Sequence, residues 1–228
     1  MAINTGSTGR IPSIFISNLL LNRYDVQPLI DYLWSQNQAG VLIYYLGDIY
    51  TYPAAYNQCR LPPGFHVRGN RDSSGPVVSM VDTFQFDEGV YILHGHQPGP
   101  AGTSSYEYVQ GWWEGQSRKR CVIEGRPRMK LAEAFRRTRR LPGKIPERLE
   151  RLAEWARPEF GPEAHTLITG HFHIPFNSDN VPQLKDRLQS LRILSCGDGW
   201  RGQHITRESD GSFRFRWFDS FTCEDADS

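Results

Sequence analysis

At 228 residues, with 39% hydrophobic and 12% aromatic residues, the chain is long enough for one sizeable domain with a buried core. Its net charge of +1 gives no overall pull toward nucleic acid or membrane, so any such partner must be read from local clusters. The opening MAINTGSTGRIPS lacks the apolar run of a secretory signal, and no stretch nears the roughly 20 apolar residues of a spanning helix. Cys59, Cys121, Cys196 and Cys223 are scattered without a C-x-x-C pair, which favours reduced thiols over a disulfide framework or zinc knuckle. The expectation is a single cytoplasmic domain over 1–228.

Short β-rich runs alternate with helical ones from the start. SIFIS (13–17), VLIYYLGD (41–48) and GFHVRGN (64–70) have strand length and apolar content. Between the first two, Val26, Leu29, Ile30, Leu33 and Trp34 fall at helical spacing, predicting an amphipathic crossover. TFQF (83–86) and GVYILHGH (89–96) are two strand candidates joined through an Asp-Glu-Gly turn. After Gly99 the chain turns basic, with SRKR, RPRMK and RRTRR before KIPERLERLAEWAR (144–157). Pro146 suits the first turn of that helix, and Ile145, Leu149, Leu152 and Ala156 line one face. HTLITGHFHIP (165–175) and LRILSCGDGW (191–200) read as strands running into loops. QHITRESDGSFRFRWF (203–218) reads as a hairpin turning at Ser-Asp-Gly-Ser, and the acidic CEDADS tail as frayed. Strands alternating with helices predict an α/β architecture, with 100–160 as a basic helical insertion and candidate lid.

Metal-capable side chains follow four of the predicted strands: Asp48, Asn70, His94, and His171 with His173. Ligands at the ends of several strands converge on one edge of a sheet, where open α/β folds place their sites. A carboxylate, an amide oxygen and imidazoles suit Mn, Fe, Zn or Co.

The series G-D-I-Y-T, G-N-R-D, H-G-H and G-H-F-H, preceded by N-L-L at 18–20, resembles the calcineurin-like metallophosphoesterase superfamily. That pattern runs D-x-H, G-D-x-x-D, G-N-H-D/E, a lone His, then G-H-x-H. G-N-R-D and the position of the insertion are most similar to the UDP-2,3-diacylglucosamine hydrolase branch. The resemblance implies a four-layer α-β-β-α sandwich with a helical lid. It also implies one metal on Asp48, Asn70, His94 and His171, and a second on Asp48, His173 and the first motif. Arg71 and Asn70 would bind the phosphate, with Asp72 holding the Arg71 fork.

The departures lie in the first motif and at Thr51. Asn18 offers only a neutral oxygen, Leu20 offers nothing, and Thr51 replaces the second aspartate of G-D-x-x-D. Two close dications sharing Asp48 as their one carboxylate repel strongly, so one metal is favoured over two. His96, His66 and Asp198 are the candidates for rescue from outside the motif. Two functions follow: a metal-dependent phosphoesterase or pyrophosphatase with a reduced site, or a catalytically inactive protein of the same fold that binds a partner. RRTRR and the neighbouring Trp112 and Trp113 fit a solvated face packed on the body, or a surface for an anionic lipid, nucleotide or protein partner.

Overall fold

The computed structural model describes residues 11–19, 21, 26–49, 60–70, 72, 80–97, 138–184, 187–188, 190–218 and 223–225. The elements, in chain order, are β1 (Ser13–Ile16), α1 (Gln27–Gln38), β2 (Leu42–Leu46), β3 (Phe65–Val67), β4 (Met80–Val81), β5 (Thr83–Asp87) and β6 (Val90–Leu93). They continue with α2 (Ile145–Phe160), β7 (Thr166–Thr169), β8 (Pro175–Asn177), β9 (Arg192–Cys196), β10 (Gln203–Arg207), β11 (Phe213–Phe218) and β12 (Cys223–Asp225). A seven-stranded sheet has the order β12-β11-β10-β1-β2-β3-β4, and a five-stranded sheet the order β5-β6-β7-β9-β8. Strands β1 to β4 run parallel, as do β6, β7 and β9, while the remaining pairings are antiparallel.

Side-chain alternation sorts the buried residues into three interfaces. On β1 and β2, Ile14, Ile16, Ile43 and Tyr45 pack with Leu29, Ile30 and Leu33 of α1. Phe15, Tyr44 and Leu46 point the other way and meet Phe84, Phe86, Ile92, Ile168 and Leu194 of the second sheet. On the far face of that sheet, Leu93, Leu167 and Ile193 pack with Leu149, Leu152, Ala153 and Ala156 of α2. Helix, sheet, sheet and helix are therefore stacked in four layers. Strands buried on both faces read as continuous apolar runs, which is why SIFI and LIYYL show no polar alternation.

Two expectations change. Helix α2 buries its apolar face on the five-stranded sheet, so this part of the expected lid is a layer of the body. Residues 101–137, including Trp112 and Trp113, lie outside the described residues. The tail is not frayed over its whole length, because Cys223–Asp225 pairs with Arg216–Phe218 as β12. The short strands β4 and β8 carry too few residues for a periodic signal, and the sequence reading passes over both. The hairpin matches its expectation: β10 pairs antiparallel with β11, and Gly211 takes the left-handed turn position.

His204 sits in this core at 1% exposure, its Nδ1 2.8 Å from the Gly202 carbonyl and its ring 5.8 Å from Tyr32. Burial pushes its pKa down from 6.5 to about 4. The unfolded chain therefore takes up a proton that the folded chain refuses. The stability present above pH 6.5 is lost as pH falls toward 4, by up to about 3 kcal/mol. Urea denaturation at pH 7 and pH 5 is expected to show the loss, and His204→Gln to reduce it.

Candidate metal centre

The C-terminal ends of β2, β3, β6 and β7 open into the loops that carry Asp48, Asn70, His94 and His171. The first two come from one sheet and the last two from the other. Asp72 fastens the first two loops together. Its carboxylate accepts hydrogen bonds from the backbone N–H of Asp48 (2.9 Å), Ile49 (2.8 Å) and Gly69 (2.8 Å). The loops touch through backbone, and only glycine permits the approach. A Cβ on Gly69 would collide with the Asp48 amide, and one on Gly47, at φ +78°, would lie 2.5 Å from His94 Nδ1.

His94 is fully buried, with Nδ1 2.6 Å from the Leu46 carbonyl. In the neutral ring that contact places the hydrogen on Nδ1 and leaves Nε2 as the lone-pair nitrogen. Nε2 is 3.1 Å from Asn70 Oδ1 and 3.5 Å from Asp48 Oδ1. His171 Nδ1 approaches the same Asn70 oxygen at 3.1 Å. Donors at 2.0–2.2 Å from a common ion are about 3 Å apart, so the spacing fits one shared cation.

The electrostatics agree. Burial opposes a charge on His94, but the Asp48 carboxylate, assisted by the Leu46 carbonyl and Asp72, outweighs it and the net shift is upward. Acceptors facing one another favour positive charge between them, whether from a proton or a metal. Burial, followed by the charge of His94, pushes His171 down to about 3, which keeps that imidazole neutral and able to donate a lone pair.

Asn18, Asp48, His171 and His173 all adopt left-handed backbone, with φ of 53°, 54°, 59° and 59°. Each such conformation costs of order 1–3 kcal/mol, and such residues cluster where function requires a fixed geometry. Asn70, whose position after glycine suggests positive φ, is not among them.

His173 stands apart from the four-residue group. Its Nδ1 is 2.5 Å from Asp198 Oδ1, and Asp198 is fully buried. Asn18 is also buried, donating from Nδ2 to Ser17 Oγ (2.7 Å) and the Gly197 carbonyl (2.9 Å). The His96 ring lies 5.4 Å from that of His94 and 6.5 Å from that of His171. His66 stacks on Tyr45, with ring centroids 4.5 Å apart. Leu20, Thr51 and Arg71 lie outside the described residues. Among the described residues, no three His, Cys, Asp or Glu side chains alone form a metal cluster; the group above includes an asparagine oxygen.

The sequence reading gives Asp72 only the Arg71 fork, and Arg71 lies outside the described residues; the structure adds backbone amides of two loops to the partners of its carboxylate. The sequence reading also leaves Asp198 open between turn former and supporting group, although the acidic residue in C-G-D-G-W was the available signal.

No family model matches the chain, and no curated protein matches it in sequence. Among solved structures, a single mutant of Vps29 from Entamoeba histolytica superposes with TM-score 0.50 at 15% identity, covering 94% of this chain and 97% of that one. A predicted phosphoesterase from Streptococcus pneumoniae gives TM-score 0.46 at 14% identity, covering 92% and 90%. A metallophosphoesterase from Sphaerobacter thermophilus gives 0.45 at 15%, covering 92% and 88%. At these identities the likeness to Vps29 shows the fold alone. The α-β-β-α sandwich implied by the metallophosphoesterase resemblance is the fold that the structure has. No helix among the described residues is long and apolar enough to cross a membrane.

Asp72→Ala would strip the acceptor from three buried N–H groups, each worth about 1–3 kcal/mol when left unpaired. The expected outcome is a loss of several kcal/mol in urea denaturation. Asp72→Asn, which keeps one acceptor oxygen, should fall between the two.

Proposed function

We propose that the protein is a metal-dependent phosphoesterase, hydrolysing phosphomonoester, phosphodiester or pyrophosphate bonds, with one cation on Asp48, Asn70, His94 and His171. The single observation that carries this reading is the convergence of His94 Nε2 and His171 Nδ1 on one Asn70 oxygen beside the Asp48 carboxylate. The order of the sequence motifs supports it independently. A divalent Mn, Fe, Zn or Co ion would polarise a phosphoryl oxygen and lower the pKa of a water.

The chain's own groups supply the rest. Leu46 orients His94 through its carbonyl, so that Nε2 faces the site. Asp72 positions Asp48 and Gly69, and through Gly69 the adjoining Asn70, by fixing backbone. Arg71, between Asn70 and Asp72 in sequence, is assigned the phosphate, with its planar fork matching two oxygens. G-N-R-D favours a substrate like that of the UDP-2,3-diacylglucosamine hydrolases, and the basic stretch before α2 is assigned to an anionic partner or the distal part of that substrate.

A second reading, a catalytically inactive binding protein, rests on Asn18 standing where the resembling family has a carboxylate. Turnover separates the two. Chelated protein should be inactive on bis-p-nitrophenyl phosphate and recover with Mn²⁺. His171→Ala and Asn70→Ala should each lower kcat/KM by about 100-fold, near 3 kcal/mol, with the fold intact by circular dichroism. Turnover that survives chelation, or equal turnover in His171→Ala, would defeat the phosphoesterase reading. Metal binding without turnover would establish the second.

A further inference from the structure

His96 is a third imidazole at the centre. Its ring lies 5.4 Å from that of His94 and 6.5 Å from that of His171, while those two are 5.1 Å apart. The three rings therefore form a compact triangle. His94 Nε2 and His171 Nδ1 both approach Asn70 Oδ1, whereas His96 makes no hydrogen bond among the described residues. Its Nδ1 is buried and without a partner, and Nε2 is not among the buried nitrogens, so the half-buried ring meets solvent on its Nε2 side. Orphaned N–H groups are rarer in folded proteins than under-satisfied acceptors. That favours the neutral tautomer with its bare lone pair on Nδ1 and its hydrogen on Nε2, where a ligand can accept it.

The backbone that carries this ring is fastened on purpose-built contacts. Gly95 N–H donates to Gln97 Oε1 (2.8 Å), and Gln97 Nε2 donates to the Asp82 carbonyl (3.0 Å). Asp82 lies between β4 of one sheet and β5 of the other, so Gln97 ties the His96 loop to the point where the chain changes sheets. Gly95 takes φ +106°, and a Cβ there would stand 3.2 Å from the Phe172 ring. We propose that His96 is a substrate-binding residue, its Nε2–H donating to an oxygen of the phosphoryl group, and that Gln97 positions it. The inference rests on the one-cation reading and adds a substrate contact outside the four cation donors. Asp48, Asn70, His94 and His171 turn acceptors and lone pairs toward positive charge. A phosphoryl group brings negative oxygens that need N–H donors, and the imidazole edge of His96 supplies one.

Calorimetric titration of the Mn²⁺-loaded protein with inorganic phosphate tests this without recourse to turnover. His96→Ala should weaken phosphate by about tenfold, while Mn²⁺ affinity, titrated separately, stays within about twofold of that of the unmodified protein. His96→Gln, whose amide nitrogen can take the place of Nε2, should recover most of the loss, which a damaged fold would not allow. Gln97→Ala should also weaken phosphate, yet add little in the His96→Ala background, because no ring is left to position. Unchanged phosphate affinity in His96→Ala, or a loss of Mn²⁺ as severe as in His171→Ala, overturns the substrate contact. Full additivity of the two alanine substitutions removes Gln97 from the assignment. Mn²⁺ binding without phosphate binding in the unmodified protein overturns this inference alone. No bound Mn²⁺ at all overturns the one-cation reading and this inference with it.

Discussion

The candidate centre depends on a carboxylate that faces backbone. Asp72 gathers the amides of Asp48, Ile49 and Gly69 on its two oxygens, and so locks the loop after β2 to the loop after β3. Charge-assisted bonds of this kind are roughly twice as strong as neutral ones, and burial removes competing water. The closeness of the two loops follows from Gly47 and Gly69, where any side chain would force them apart. Asp48 and Asn70 are therefore presented as a pair, with little freedom to separate.

The other half of the centre comes from the second sheet. Asn70 and His171 are 101 residues apart in sequence, yet Asn70 Oδ1 and His171 Nδ1 approach to 3.1 Å. Nothing local can arrange that. The separation of the two sheets arranges it, and the inner layer sets that separation. Phe15 stacks on Tyr44 at 5.1 Å and meets Phe86 edge-on at 5.0 Å, so rigid rings from both sheets fill the space between them. Left-handed backbone at Asp48, His171 and His173 then turns the side chains away from the strand direction. This conformation is unfavourable in isolation and persists because the surrounding packing over-determines it.

Much of this was legible in the sequence because it is periodic or chemically conspicuous. Runs such as LIYYL announce doubly buried strands, and imidazoles after glycine at a strand end announce a site. Other features left no such trace. The spacing of Leu149, Leu152 and Ala156 shows that α2 buries a face, but an amphipathic helix looks alike on a sheet or in a lid. The hold of Asp72 on two loops is invisible because backbone amides carry no residue identity. Asp198 is reached by a loop from another strand, and the two residues of β4 are too few to show alternation.

Charge connects these observations. A site assembled from Asn70, His94 and His171 contains neutral donors around one carboxylate, Asp48, and the upward shift of His94 registers how strongly that arrangement favours positive charge. Asn18 is neutral, whereas the buried Asp198 brings a carboxylate to His173 from the end of β9. A carboxylate with one oxygen bound to an imidazole and the other orphaned is a poor choice for structure alone, since an apolar side chain would fill the same volume at lower desolvation cost. Its retention in the folded core makes electrostatic sense only with a compensating charge or donor at hand.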